Sequence, residues 1–224
     1  MITTGIIGFL KELQKNNNRE WFEENRTWYE SSRKEFAAFV EILIHEIREV
    51  DEQVGMLQAK DCMFRIYRDV RFSKDKSPYK TNFGAYISRG GKKLNFAGYY
   101  FHIEPGEYFL SGGIYMPDGA VLKALRNEIF HRIDEFKAIL AAPDFQKYFG
   151  GKLWEIEKTK TAPRDFPKDF PDIELLKHKH YVMEKSLTEK QLTSPNLLRE
   201  AAKVYAAMVP FNHFLNNVIE DLVE

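Results

Sequence analysis

The sequence predicts an α+β fold in which an antiparallel β-sheet of about four to five strands, residues 62–116, packs against N-terminal and C-terminal helices. Two changes of hydrophobic period carry this prediction. Apolar residues recur at helical spacing up to about residue 50 and again after residue 118, and between these regions they alternate as in strands. The chain also holds 18 Phe, 11 Tyr and 3 Trp, which favours a packed core over disorder. We expect one domain over residues 1–224.

The first region, residues 4–50, is expected to be helical. Ile6, Leu10 and Leu13 form one apolar stripe, and Asn18 is placed to cap a second helix. A break is expected near residues 25–32, because the helical run would otherwise be unusually long. After it, apolar residues repeat at helical spacing: Phe36, Phe39, Val40, Leu43, Ile44 and Ile47.

The first predicted strand covers residues 62–72, where apolar and charged residues alternate. Successive side chains of a strand point to opposite faces, so the alternation predicts one buried face and one charged face. Arg68 lies among the residues expected on the buried face, so its charge requires a buried partner, or a β-bulge must turn its side chain to the other face. The apolar parity comprises Cys62, Phe64, Ile66, Val70 and Phe72, and the other parity comprises Arg65, Tyr67, Asp69 and Arg71.

Three more strands are predicted at residues 85–88, 96–104 and 107–116, the last two joined by a turn at Pro105-Gly106. A two-residue turn sets the register of this pair and leaves Tyr100 and His102 on the face away from the apolar pairs. Those apolar pairs are Tyr99 with Gly112, Phe101 with Leu110, and Ile103 with Tyr108.

Helical spacing returns after Asp118 and continues through the C-terminal region. The segment 159–172 contains three prolines and two phenylalanines, so we expect an ordered loop that packs on the body. A last helix is expected to begin at Ser194-Pro195, where a cap and a first-turn proline stand in sequence. Pro210 is expected to break or kink this helix.

The charge balance and the cysteine content indicate which classes of function and location the sequence favours. Lys plus Arg and Asp plus Glu each number 33, and a net charge of zero does not favour bulk attraction to nucleic acid or to a membrane. The chain has 1 cysteine, no signal-peptide pattern at its start and no apolar run near the ~20 residues of a membrane span. These features predict a soluble, cytoplasmic protein without a membrane partner, and they do not determine its oligomeric state.

One segment, residues 65–82, is strongly basic although the chain is neutral. It holds six basic and two acidic residues in eighteen positions, interleaved with aromatic residues. Arginines make bidentate contacts to carboxylates and phosphates, and the hydroxyl, ammonium and backbone N–H groups of residues 73–78 suit a phosphate. We therefore predict a site for a small anionic or phosphate-containing ligand. The predicted ligand-binding residues are Arg65, Arg68, Arg71, Lys76, Tyr79, Lys80 and Asn82.

Asp69 lies between two arginines on the charged face of the first predicted strand. It would orient their guanidinium groups or accept a proton from a ligand. Asp69 is therefore the predicted catalytic residue if the site is enzymatic.

Two other functions compete with small-anion binding. Aromatic residues beside cations also suit single-stranded nucleic acid, and Arg89, Lys92 and Lys93 would extend the basic surface. In the other alternative the arginines and aspartates pair with each other in a structural salt-bridge network, and the protein is a non-enzymatic interaction module. The sequence leaves all three open.

The remaining candidate residues do not form a recognisable reactive site. His102 and Glu104 share one strand face, but two ligands are too few for a metal site, so no metal and no cofactor are predicted. His178 and His180 lie in a lysine-rich stretch and are expected to be solvated. Cys62 shares its parity with apolar residues, which predicts a buried thiol rather than a nucleophile.

Four segments of the chain resemble one protein family. They are NNREWFEENRTWYE (17–30), FRIYRDVRFSKDKSPYKTNFGAYIS (64–88), GYYFHIEPGEYFLSGGIYMP (98–117) and LKALRNEIF (122–130). The chain resembles, over nearly its whole length, the family known as the domain of unknown function 2461. The resemblance implies a single intracellular α+β domain, and it brings no established activity, cofactor or catalytic residue.

Overall fold

The computed structural model describes residues 1–223 and confirms the α+β fold. In this part of the chain, four antiparallel strands form one sheet with neighbours in chain order. The strands are β1 (Phe83–Ile87), β2 (Gly98–Glu104), β3 (Glu107–Ile114) and β4 (Tyr181–Leu187).

Helices precede the sheet, separate its third and fourth strands, and follow it. The N-terminal ones are α1 (Thr4–Lys15), α2 (Arg19–Glu24), α3 (Arg26–Arg48) and α4 (Ala59–Cys62). Between β3 and β4 lie α5 (Gly119–His131), α6 (Ile133–Ala141), α7 (Pro143–Phe149) and α8 (Ile173–Leu176), and after β4 come α9 (Glu189–Leu192) and α10 (Leu197–Val223). Among the described residues, no helix is both long and apolar enough to cross a membrane.

The N-terminal helices begin and end as the sequence predicts. The Asn18 side chain accepts a hydrogen bond from the Trp21 N–H (2.9 Å) and caps α2. The expected break falls at Asn25, which ends α2 and precedes α3. The apolar stripe of α1 and the long apolar run of α3 are both buried, so the two helices pack on the core as amphipathic elements.

The register predicted for β2 and β3 is confirmed. Tyr99, Phe101 and Ile103 lie opposite Gly112, Leu110 and Tyr108, respectively. Gly106 has φ +92°, as the third position of a Pro-Gly type II turn requires, so the two-residue connection forms. The alternation therefore holds: one face packs on the helices, and Tyr100 and His102 occupy the other.

The predicted strand over residues 62–72 is wrong. Residue 62 ends α4, and only isolated bridges follow, from Met63 to Ala85 and from Tyr67 to Tyr79. Residues 66–80 fold back on themselves, so this segment satisfies its backbone locally instead of adding a strand to the sheet. The alternate apolar residues of this segment are not all buried, since Phe72 is 96% exposed while Ile66 is buried.

The fourth strand, β4, was missed by the sequence prediction, which confined the sheet to residues 62–116. Only the first three residues of β4 are buried, and its second half carries Glu184, Lys185 and Ser186. That composition lacks a sustained apolar alternation, so the strand is defined by pairing with β3 rather than by its own sequence.

The helix α10 lies against the sheet and joins it through polar contacts as well as apolar packing. The Tyr205 hydroxyl donates to the Tyr100 carbonyl (2.9 Å), and the Asn212 amide donates to the Gly98 carbonyl (3.1 Å). Of the break or kink predicted at Pro210, the break does not occur, because α10 continues through this residue. Its neighbours Met208 and Phe211 are fully buried, so packing holds both halves of α10 on the core.

The prediction that His178 and His180 are solvated is also wrong, because both are buried. The His180 ring stacks on Tyr115, and its Nδ1 accepts the Met116 N–H (2.9 Å). The His178 carbonyl accepts a hydrogen bond from Arg126 (3.0 Å). The neighbouring lysines stay at the surface, so a basic stretch still contains two core histidines.

Buried His178 makes the stability of the protein sensitive to acid. Burial, together with the charge of Lys158, lowers the pKa of His178 from 6.5 to about 4, against the opposing effect of Glu155 and Glu174. Between these two values the unfolded chain binds a proton that the folded protein does not, so the free energy of unfolding falls as the pH falls. We expect a loss of about 3 kcal/mol across this window from His178 alone.

Urea unfolding at several pH values would measure this contribution. His178→Gln is expected to flatten the dependence between pH 6.5 and about 4, whereas Asn127→Gln, at an exposed position of α5, should leave it unchanged. Equal slopes for the wild type and His178→Gln would contradict the assignment.

Candidate functional site

The sheet face that carries Tyr100 and His102 forms the floor of a pocket of about 580 Å³. Strand pairing places side chains from all four strands on this floor. They include Tyr86 from β1, Tyr100 and His102 from β2, Phe109 and Ser111 from β3, and Val182 from β4.

Two loop segments form the walls of this pocket at opposite edges of the sheet. On the β1 side, the Phe64 N–H donates to the Gly84 carbonyl (3.0 Å), and Lys80 and Asn82 complete the wall. On the β4 side, the Trp154 N–H donates to the Val182 carbonyl (2.8 Å). The edge strands thus use free backbone groups to hold the walls in place.

A hydrogen-bonded row of side chains runs along β2 on the pocket floor. The Tyr100 hydroxyl lies 2.8 Å from Nδ1 of His102, and Nδ2 of Asn82 lies 3.3 Å from the same nitrogen. Because both neighbours are donors, Nδ1 accepts and the hydrogen of the ring is on Nε2. Nε2 is 3.5 Å from Oε2 of Glu104, and the imidazole stacks on Phe109 at 4.5 Å.

This row is electrically neutral at its centre. Burial lowers the pKa of His102, against the opposing effect of Glu104 and Glu107. Burial and the same two carboxylates raise the pKa of Tyr100. At neutral pH His102 is therefore an uncharged acceptor and Tyr100 a protonated donor.

Gly84 makes room for this arrangement. A Cβ atom at Gly84 would lie only 2.5 Å from the Tyr100 hydroxyl oxygen. A side chain there would push the phenol away from His102, so glycine is required for the hydrogen bond to form.

Lys80 and Lys92 are the lysines that line the pocket, and Lys80 has no counterion among the described residues. Its Nζ lies 5.2 Å from the centre of the Phe64 ring, and the side chain is partly buried. Burial lowers the pKa of Lys80, and the nearby positive charge of Arg65 lowers it further. Within residues 1–223, neither Lys80 nor Arg65 forms a salt bridge.

The structure brings four of the seven predicted ligand-binding residues together in a cleft of about 380 Å³, which is lined by Arg68, Tyr79, Lys80 and Asn82. Lys80 and Asn82 also line the larger pocket over the sheet, and Arg65 is close to Lys80. In that cleft Arg68 is paired with Asp75. The Tyr79 ring is buried and stacks on Phe22 at 3.9 Å.

The other predicted residues pair locally on an exposed surface. Asp69 accepts hydrogen bonds from Arg71, which hold the pKa of Asp69 below its usual value. The Lys76 ammonium donates to the Val70 carbonyl (2.9 Å). Arg89, which would have extended a nucleic-acid surface, is paired with Glu220.

Several residues of the pocket were not predicted. Tyr100 and His102 carried a usable signal, since their parity on β2 placed them away from the core. Trp154 and Ile156 carried none, because they come from an irregular segment between α7 and α8 that reaches the sheet through one backbone hydrogen bond to β4.

No cluster of three or more metal-binding side chains occurs in the described part of the chain. Cys62 is buried as expected, and burial raises the pKa of its thiol to about 12. A thiol in that environment stays protonated and does not act as a nucleophile.

Comparison with known proteins identifies the family of the chain. Neither the curated proteins nor the solved structures provide a match. A family model described as "Conserved hypothetical protein (DUF2461)" matches residues 5–214. This range includes the four strands and every residue of the pocket. The chain therefore belongs to the DUF2461 family.

Proposed function

We propose that this protein binds a small anionic ligand, carrying a carboxylate or phosphate, in the pocket over the open face of the sheet. The unpaired Lys80 beside Arg65 is the observation that carries the proposal. Placing two cations near each other with partial burial costs free energy unless an anion compensates. A ligand anion at Lys80 would provide that compensation.

The composition of the pocket lining also favours an anion. Lys80, Lys92 and Asn82 contribute N–H donors, and the residues that line the pocket include no Asp or Glu. Glu104 lies behind His102, with which it interacts, and is not part of the lining. An anion entering the pocket therefore meets donors and aromatic rings rather than carboxylates.

The arrangement supports binding more strongly than catalysis. Nδ1 of His102 is occupied by Tyr100 and Asn82, and the carboxylate of Asp69 is held by Arg71 outside the pocket. The Ser111 hydroxyl donates to the Met183 carbonyl (2.7 Å). These groups stabilise the floor, so the free functional groups that face a ligand are the ammonium and amide groups of the wall.

Lys80→Met tests the proposal, because methionine keeps a similar length and removes the charge. Isothermal titration with a panel of carboxylates and organic phosphates should show binding to the wild type and at least about tenfold weaker binding to the variant, as expected for loss of a charged hydrogen bond. Lys74→Met is the matched control, since Lys74 is exposed on the same segment outside the pocket. Wild-type affinity in Lys80→Met, or no anion bound by the wild type, would refute the proposal.

A further inference from the structure

We infer that the ligand is an amphiphilic anion, with a single carboxylate or phosphate head and an apolar body that lacks hydroxyl groups. The inference rests on the proposed function and names the class of molecule that the same pocket accepts. Three properties of the pocket lead to it: a one-sided distribution of charge, hydroxyl groups whose hydrogens are already donated to the protein, and a half-exposed apolar rim.

The charge of the pocket lies away from β4. Lys80 and Asn82 stand on the β1 side and Lys92 lies in the loop between β1 and β2, whereas Trp154, Ile156 and Val182 form the β4 side. A ligand whose charged group contacts Lys80 therefore directs the rest of its body toward apolar side chains. A second charged group at that end would lose its hydration without a partner.

Two hydroxyl groups deeper in the pocket, those of Tyr86 and Ser111, already donate to the protein, whereas Nε2 of the buried His102 has no hydrogen-bond partner among the described residues. The Tyr86 hydroxyl lies 2.7 Å from the Phe96 carbonyl and 3.0 Å from the Gly113 carbonyl, and its one hydrogen is shared between them. The hydrogen of the Ser111 hydroxyl is given to the Met183 carbonyl. These hydroxyls have no hydrogen left to donate to a ligand, so a sugar would be poorly matched.

Large apolar side chains around the mouth of the pocket remain half-exposed. Their exposed fractions are 41% for Phe64, 51% for Leu94, 58% for Tyr115 and 39% for Trp154. Exposed apolar groups clustered around one opening mark a binding surface. The body of an amphiphile would cover them while its head stays at Lys80.

Titration calorimetry on the full chain with head-matched ligands tests this inference. Along the series acetate, butyrate, hexanoate and octanoate, affinity should rise about threefold per added methylene until the pocket is filled. Hexyl phosphate should bind at least tenfold more tightly than glucose 6-phosphate, which has the same head on a hydroxylated body. Ile156→Asn should weaken octanoate much more than acetate, and its melting temperature will show that the fold is intact.

The outcomes separate this inference from the proposed function. Equal affinity for hexyl phosphate and glucose 6-phosphate, or an affinity that does not rise along the alkyl series, would refute the inference that the ligand is amphiphilic. The proposal that the pocket binds an anion would still stand. If uncharged hexanol bound as tightly as hexanoate, and Lys80→Met did not change the affinity for hexanoate, the ligand would not need an anionic head. Both proposals would then be refuted. Octanoate binding that is lost in Ile156→Asn and in Lys80→Met would support both.

Discussion

Replacing Asp51 with alanine is expected to lower the free energy of unfolding by about 3 kcal/mol. Asp51 is only 4% exposed, yet its carboxylate accepts a hydrogen bond from the Tyr99 hydroxyl (2.6 Å) and lies 2.8 Å from Nε2 of His213. The substitution would leave a buried hydroxyl without its acceptor and would remove the contact with the imidazole. Urea unfolding of the variant measures the loss.

Two further variants make the Asp51 prediction specific. Tyr99→Phe removes one donor of the network and should cost less than Asp51→Ala, because the contact between Asp51 and His213 survives. Asp169→Ala removes an aspartate from an exposed loop position and should leave stability unchanged. If Asp51→Ala were as stable as Asp169→Ala, the buried network would not contribute to folding.

The same network shows how one strand carries polar groups on two faces. Tyr99 points to the helix side and contacts Asp51, while the next residue, Tyr100, points into the pocket and contacts His102. Strand β2 is thus held on its helix side by hydrogen bonds from α10, and on its pocket side by the row of Tyr100 and His102 side chains. The pocket floor is consequently built on a strand that is hydrogen-bonded on both faces.

The elements that could be predicted from the sequence are those determined by residues close to them in the chain. Asn18 caps its own helix, and Pro105-Gly106 turns β2 directly into β3, so alternation on either side set the register correctly. Residues 62–72 failed by the same criterion. Their alternation resembled a strand, but only Met63 and Phe64 bond to the edge of β1, and Tyr67 pairs with Tyr79 of the same segment.

The candidate site was only partly predictable because charge density does not reveal charge pairing. Arg71 and Asp69 are two residues apart and pair with each other, and Arg68 pairs with Asp75 across the folded-back segment. In the sequence Lys80 cannot be told apart from the other basic residues of 65–82. In the structure it differs from them because it lies over the Phe64 ring and near Arg65. Trp154 reaches the pocket from a distant loop, so its role depends on tertiary contacts alone.

Gly113→Ala is expected to destabilise the protein by about 3 kcal/mol through two effects of the added methyl group. Gly113 has φ +104°, a conformation that L-residues rarely adopt, and a Cβ atom would lie 2.0 Å from the Tyr181 carbonyl oxygen of the paired strand β4. The backbone of β3 or β4 would have to shift. Chemical denaturation of the variant gives the free-energy change.

Gly106→Ala provides the control that separates backbone strain from collision. Gly106 also has a positive φ, +92°, but a Cβ atom added there would have no other atom within 4 Å, so only the conformational cost of about 1 kcal/mol should appear. A Gly113→Ala variant no less stable than Gly106→Ala would contradict the close approach of β3 and β4.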